Sequence, residues 1–295
     1  MTTVATSRPI ILRRELRRSA HEYSPAASAF LALPMLAILT AGFLYPVGKI
    51  VALSFTNGFS DYMRILTEPL YLDVLANTMT TALAVSSLCI VLGFPVAYAL
   101  SRLTGLSKML ISAAVLIPLW TSVLIRSYAW IVILQRNGPV NDLLQGLGLI
   151  EGPSKLLYTQ GAVIVAMTHA LLPFVILPIT ASLRAIPPEL PRAALSLGAS
   201  KVSAFTRVIL PLSLPGIFAG AVLSFVLALG FYITPALVGG PGSMLIATLI
   251  GQQTTVVLDW PFAAALSTTL LTVTLLIVFL FRRVLMLSKG YANVH

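Results

Sequence analysis

The sequence predicts an all-α integral membrane protein that crosses the bilayer six times with both termini in the cytoplasm. Three observations carry this: the composition, six long apolar runs, and a lopsided distribution of basic residues. Of 295 residues, 58% are hydrophobic and 9% charged, against about 25% charged in an average soluble domain. Such a chain cannot cover a folded surface with polar groups. The runs that reach the ~20 residues needed to span are Ala29–Gly48, Val74–Leu100, Met109–Leu134, Ala162–Leu183, Ile217–Val238 and Phe262–Phe281. They show no alternation with period two, so helices are expected rather than barrel strands. Their internal prolines, Pro34, Pro95, Pro118, Pro173 and Pro178, are tolerable where neighbouring helices satisfy the freed carbonyls.

With the N-terminus inside, the inner segments hold Arg8, Arg13, Arg14, Arg17, Arg18, Arg102, Lys108, Arg184, Arg192, Lys201, Arg207, Arg282, Arg283 and Lys289. The outer segments hold Lys49, Arg64, Arg136 and Lys155. Positive charge collects on cytoplasmic loops, so this orientation is expected. The same bias accounts for the net charge of +10. No basic stripe is interleaved with stacking aromatics, so nucleic-acid binding is not expected.

In chain order, residues 1–26 read as a basic cytoplasmic tail. Its RRELRR run is followed by an apolar stretch long enough to span, unlike a cleaved signal, and the cluster can touch anionic lipid. Residues 27–72 read as a first helix and outer loop, 73–282 as the core, and 283–295 as a second cytoplasmic tail. Cys89 is the single cysteine, which excludes an intrachain disulfide and a paired-cysteine metal site. No His, Cys and carboxylate cluster has ligand spacing, so a membrane enzyme lacks support.

Residues 191–216, PRAALSLGASKVSAFTRVILPLSLPG, interrupt this oily chain on the expected inner side. Ala193, Ala194 and Leu197 fall on one side of a helix. Gly198 permits a turn or a close approach. Ser200 can cap a second helical piece, with Val202, Phe205 and Val208 on one face. Pro211 and Pro215 stand before the next span. Read on these residues alone, the stretch is either an ordinary amphipathic connector or a docking element with a nearly bare alanine face.

Other residues stand out singly. Arg126 is the charged residue within a span, and intramembrane charges are functional candidates. Along a straight helix it lies about 27 Å from Lys108, near the outer interface. An anchoring or subunit-packing role beside Tyr128 and Trp130 is preferred to a substrate contact. His169 is expected to pack rather than to relay protons. Arg126, Tyr128, Trp130 and Tyr232 are the candidate pathway or outer-gate residues. Gly216 and Gly220 suit close helix packing, a candidate contact between two chains. Residues 243–250 read as a re-entrant or surface helix, either touching another protein or packed as an outer plug.

The 192–211 stretch resembles the EAA loop of permease subunits of ATP-binding-cassette importers. That pattern runs Glu-Ala-Ala, three residues, Gly, nine residues, Ile, one residue, Leu-Pro. Here Arg192-Ala193-Ala194, Gly198, Val208, Leu210 and Pro211 match it in spacing. Arg192 replaces Glu and Val208 replaces Ile; Glu189 supplies an acid nearby but not an equivalent one. PLWTSVLIRSYAW (118–130), NGPVNDLLQGLGL (137–149), LVGGPGSMLIATLIGQQ (237–253) and DWPFAAALS (259–267) are similar to the spermidine/putrescine-type permeases.

The resemblance implies a type I importer permease fold in the bacterial inner membrane. It also implies a second, different permease chain, two cytoplasmic ATPase subunits docked on the 184–213 loop, and an external solute-binding protein. ATP and magnesium would belong to the ATPase subunits, since this chain has no G-x-x-x-x-G-K-[ST] run. Glu189, Arg192, Ala193, Ala194, Leu197, Gly198, Val208, Leu210 and Pro211 then form the ATPase-coupling loop. A polyamine is the expected cargo. The rival class is a secondary transporter or channel not driven by ATP.

Overall fold

The computed structural model describes residues 25–292. The RRELRR tail and the last three residues lie outside the described residues. The regular structure of the described residues is helix, without strands, because continuous apolar runs in lipid must satisfy their backbone groups within each segment. The chain forms two compact units, Met1–Ala52 and Leu53–His295.

The first unit is a single apolar span. Helices α1 (Pro25–Leu39) and α2 (Tyr45–Leu53) are joined through a π-helical turn, Thr40–Leu44. Tyr45 N–H donates to Thr40 O, five residues back, and Pro46 follows. Proline has no N–H and its ring crowds the carbonyl four residues earlier. Widening the preceding turn relieves both defects.

The second unit begins at Leu53. Helix α3 (Ser60–Thr67) buries Ile65 against Tyr71, Val74, Phe262 and Leu266, so this segment packs on the helices of the second unit. The centre is three helices: α4 (Pro69–Arg102), α8 (Gln160–Arg184) and α11 (Leu210–Leu229). Val85, Cys89, Met167, Leu171, Val175, Ile179 and Phe225 fill the space between them.

Two hydrogen bonds fix the direction of α8 against α4. Gln160 Nε2 donates to Asn77 Oδ1 at 2.7 Å at their N-terminal ends, and Arg184 Nη2 donates to Leu100 O at 2.9 Å at their C-terminal ends. The helices therefore run parallel. Gly216 and Gly220 of α11 face Ile179 and Val175 of α8, so α11 runs antiparallel to both. Ser86 hydrogen-bonds Ser224 Oγ across α4 and α11 at 2.9 Å.

The third expected span is broken. Helix α5 (Gly105–Trp120) stops at two extended residues, Thr121 and Ser122, and α6 (Val123–Leu134) restarts. Gly105–Trp120 and the stretch Val123–Gly146 that follows are bent by 104° from one another. The fifth is interrupted as well: α11 ends at Leu229 and α12 (Ile233–Val238) begins after Gly230–Tyr232. Five stretches are long and apolar enough to cross a membrane, six if the bent pair is one span. Helices α7 (Pro139–Gly146) and α13 (Ile246–Gln252) lie in connecting segments, and α14 (Trp260–Ala292) closes the chain.

Candidate functional site: an uncovered elbow and a pair of broken helices

After α8, helix α9 (Glu189–Ser196) buries none of its residues. It ends in a left-handed cap. Gly198 has φ +87°, Gly198 N–H donates to Leu195 O and Ala199 N–H to Ala194 O, both at 3.0 Å. This pair of bonds satisfies the last carbonyls of a helix and needs a residue without a Cβ penalty. A Cβ at Gly198 would meet nothing within 4 Å, so the glycine serves backbone conformation rather than close approach. Ser200 then caps α10 (Lys201–Ala204): its Oγ accepts from Ser203 N–H at 3.1 Å.

The second arm of the elbow does not end at the prolines. Helix α10 passes through a π-helical turn, Phe205–Ile209, into α11, giving one helical stretch, Lys201–Leu229. Leu210 N–H reaches back to Phe205 O, and Pro211 follows. The arrangement repeats that at Tyr45–Pro46, for the same reason. The wide turn also moves the buried face. Ala204 and Ile209 are buried, with Phe205 and Val208 half-buried, while Val202 is 72% exposed. The expected face of Val202, Phe205 and Val208 is thus corrected at Val202. Phe205 lies edge-on to Phe94 and Tyr98 of α4, with ring centroids 5.9 and 5.7 Å away.

Glu189, Arg192, Ala193 and Leu197 are exposed, Ala194 is half-buried, and Pro211 is exposed beside half-buried Leu210. Leu197 reaches 89% exposure.

The other candidate residues gather where the two interrupted spans meet. Ser127 of α6 and Thr234 of α12, both buried, hydrogen-bond through their hydroxyls at 2.9 Å. That joins the short helices bearing Arg126, Tyr128 and Trp130 to the one capped by Tyr232. Broken helices at membrane depth are stable only where they are buried in protein or line a cavity. Tyr232 lies on α13: a Cβ at Gly251 would fall 2.9 Å from its Cζ. Tyr128 is exposed, and Trp130 is half-buried against His169, with rings 5.8 Å apart and edge-on. His169 is itself exposed. The height of Arg126 along a straight span is void, since the 104° bend precedes it. Arg126 Nε and Nη1 are buried without a hydrogen-bond partner among the described residues.

Gly216 and Gly220 are buried against α8 of the same chain. A Cβ on Gly216 would meet Pro178 O at 2.7 Å as well as Ser182, and one on Gly220 would meet Val175 Cα at 3.1 Å. Their packing role is therefore intramolecular, and the surface offered to a second chain lies elsewhere.

A polar strut at the opposite end of the bundle from the elbow is absent from the sequence reading. Asn77 Nδ2 donates to Met244 O, Gln160 Nε2 to Asn77 Oδ1 and Thr81 Oγ1, and Thr78 Oγ1 accepts from Ile246 N–H. These bonds hold α13, with Ile246 and Leu249 buried, as a packed plug against α4. Among the described residues no group of His, Cys, Asp or Glu could hold a metal ion.

Residues 89–286, which include the elbow and both interrupted spans, match the family model of binding-protein-dependent transport system inner membrane components. The chain belongs to that family. The binding-protein-dependent permeases similar to it include PotB, the spermidine/putrescine transport system permease protein of Escherichia coli. It is 38% identical over 242 residues, which cover 82% of this chain and 87% of that protein. PotB of Haemophilus influenzae is 32% identical over 86% of this chain and 88% of its own length. Among solved structures, a chain of a bacterial alginate ABC transporter has the same fold, with TM-score 0.67 at 23% identity, covering 86% of this chain and 93% of that one. A chain of the MetNI methionine ABC transporter matches with TM-score 0.57 at 20% identity over 73% of this chain and 94% of its own. This chain is accordingly a multi-pass permease of an ABC importer in the inner membrane, with the type I importer fold.

Proposed function

We propose that this permease is one of two different pathway-forming subunits of a polyamine importer. Its termini and residues 184–213 face the cytoplasm, where the elbow receives one of two ATPase subunits. An external solute-binding protein delivers cargo to the opposite face. ATP and magnesium are held by the ATPase subunits.

The observation that carries the docking role is the uncovered α9, followed after the Gly198 turn by a helical arm that is continuous with a span. The elbow is exposed at Leu197 and Val202, yet its second arm continues into α11 without a break. Movement of a gripped elbow therefore turns α11 as a rigid body. Arg192 stands where the family pattern has glutamate, so the contact here rests on the apolar side chains rather than on a carboxylate. The polyamine assignment is supported by the PotB relatives. The apolar stretches contain no Asp or Glu, so selectivity for a cation resides in the binding protein and this chain provides passage.

Two measurements test the reading. Vesicles carrying the assembled importer, given its binding protein and ATP, take up labelled spermidine or putrescine; uptake that persists without the ATPase overturns it. Ser200→Cys, with the buried Cys89 replaced by Ala, is modified by an impermeant thiol reagent from the cytoplasmic face alone. Modification from outside overturns the topology.

A further inference from the structure

We propose that Arg126 pairs, in the assembled importer, with a carboxylate on the second permease chain. The inference rests on the reading that two permease chains build the pathway. Arg126 is the one Lys, Arg, Asp or Glu within the six apolar stretches. Two of its guanidinium nitrogens are buried and bond to nothing among the described residues. The side chain as a whole is half-buried, yet donors removed from solvent and left unbonded are costly, and intramembrane charges are found paired.

Among the described residues no acid pairs with Arg126: the salt bridge there joins Arg64 to Glu68. The apolar stretches hold no Asp or Glu. Asp61 is engaged by Asn57 and Asp259 by the N–H of Phe262, while Asp73, Asp142, Glu151 and Glu189 form no ion pair there. The surroundings of Arg126 favour an anion further. It stands in the first turn of α6, where unpaired N–H groups and the helix dipole add positive charge. A cationic cargo has the wrong sign for this place.

The face is also built for a protein neighbour. Ala129, one turn on, is exposed, and so is His169 against Trp130. An exposed imidazole on α8 and an unpaired guanidinium on α6 do not suit a lipid-facing surface. Next to them Leu124, Ile125, Tyr128 and Val132 form an exposed stripe along α6, the apolar flank a second helix needs. A carboxylate on that helix fits both the charge and the stripe.

The test uses the whole importer in membranes. A photo-crosslinking benzoylphenylalanine at Ala129, with Arg126 intact, forms an adduct with the second permease; adducts with lipid or the binding protein alone overturn the proposal. Arg126→Gln lowers the amount of second permease that co-purifies by about tenfold or more, while Arg126→Lys retains it. Arg126→Glu is rescued when one Asp or Glu in the partner's spans is replaced by Lys. Normal assembly of Arg126→Gln, with a changed KM for spermidine instead, overturns the pairing and makes Arg126 a pathway residue. If the Gln variant fails to reach the membrane, the crosslink decides. Failure of the unaltered chain to co-purify with any second permease overturns the two-chain reading itself, a result distinct from loss in the variant.

Discussion

The ring of Phe205 stands at 90° to that of Tyr98, with centroids 5.7 Å apart. This contact, with its neighbour at Phe94, pins the second arm of the elbow to the C-terminal end of α4. Each such edge-on pair contributes about 0.5–1.5 kcal/mol beyond area burial. Phe205→Ala is expected to lower the melting temperature in detergent and to weaken the link between ATP hydrolysis and uptake. Phe205→Leu should recover the stability but not the full coupling. Unchanged melting in the alanine variant would count against the pin.

Gly198 is required for its φ of +87°, not for space. An L-residue held in the left-handed region costs roughly 1–2 kcal/mol, with Asn the best tolerated after Gly. The expected order of coupled uptake is Gly, then Asn, then Ala, with Gly198→Trp uncoupling hydrolysis from uptake. Equal activity of the Asn and Ala variants would contradict this account.

Gly216 and Gly220 differ in how tightly α8 meets them. Overpacking costs about 1–3 kcal/mol, and the stronger clash is at Gly216, against Pro178 O and Ser182. Gly216→Ala should therefore reduce thermal stability more than Gly220→Ala. Thermal unfolding of the two purified variants checks the ranking.

Gly251 and Tyr232 are expected to behave as a coupled pair. A methyl group at 251 displaces the Tyr232 ring from α13, so Gly251→Ala should impair uptake. Removing the ring with Tyr232→Ala should cancel most of the stability loss. Double-mutant analysis of melting temperatures measures the coupling, and additive effects would contradict the contact.

Asn141 is buried and ties the 135–154 segment together, donating to Gln135 O and Ser154 O and accepting from Ser154 N–H at 2.9 Å. Loss of the side chain leaves these groups unsatisfied, at about 1–3 kcal/mol each where buried. Asn141→Ala should make this segment the first site of limited proteolysis. Asn141→Asp should retain the acceptor bond and an intermediate resistance.

The spans were readable because hydropathy persists over each of them, and the elbow because Gly198 and Ser200 mark a turn and a cap; that Gly198 serves a turn rather than a close approach is decided by its φ of +87° and the open space around it. The breaks at Thr121–Ser122 and Gly230–Tyr232 were not readable. Pro118 precedes the first of them, but Pro34, Pro95, Pro173 and Pro178 sit inside unbroken helices. Proline in lipid therefore does not mark an interruption, and the flanking residues stay apolar on both sides. Val202 was placed inward on an ordinary helical period; the wide turn at Phe205–Ile209 sets a period of five between Ala204 and Ile209. The Asn77–Gln160 strut joins residues 83 apart in sequence, a pairing that no local pattern announces.

The wide turn ahead of Pro211 also acts as a phase setter. One extra residue in a helix shifts everything before it by about 100° around the axis. Shortening the 205–209 segment by a single residue would leave α11 seated in the bundle while swinging α9 to a different compass bearing. The direction in which the elbow points thus depends on the length of these five residues together with the grip of α4 on Phe205.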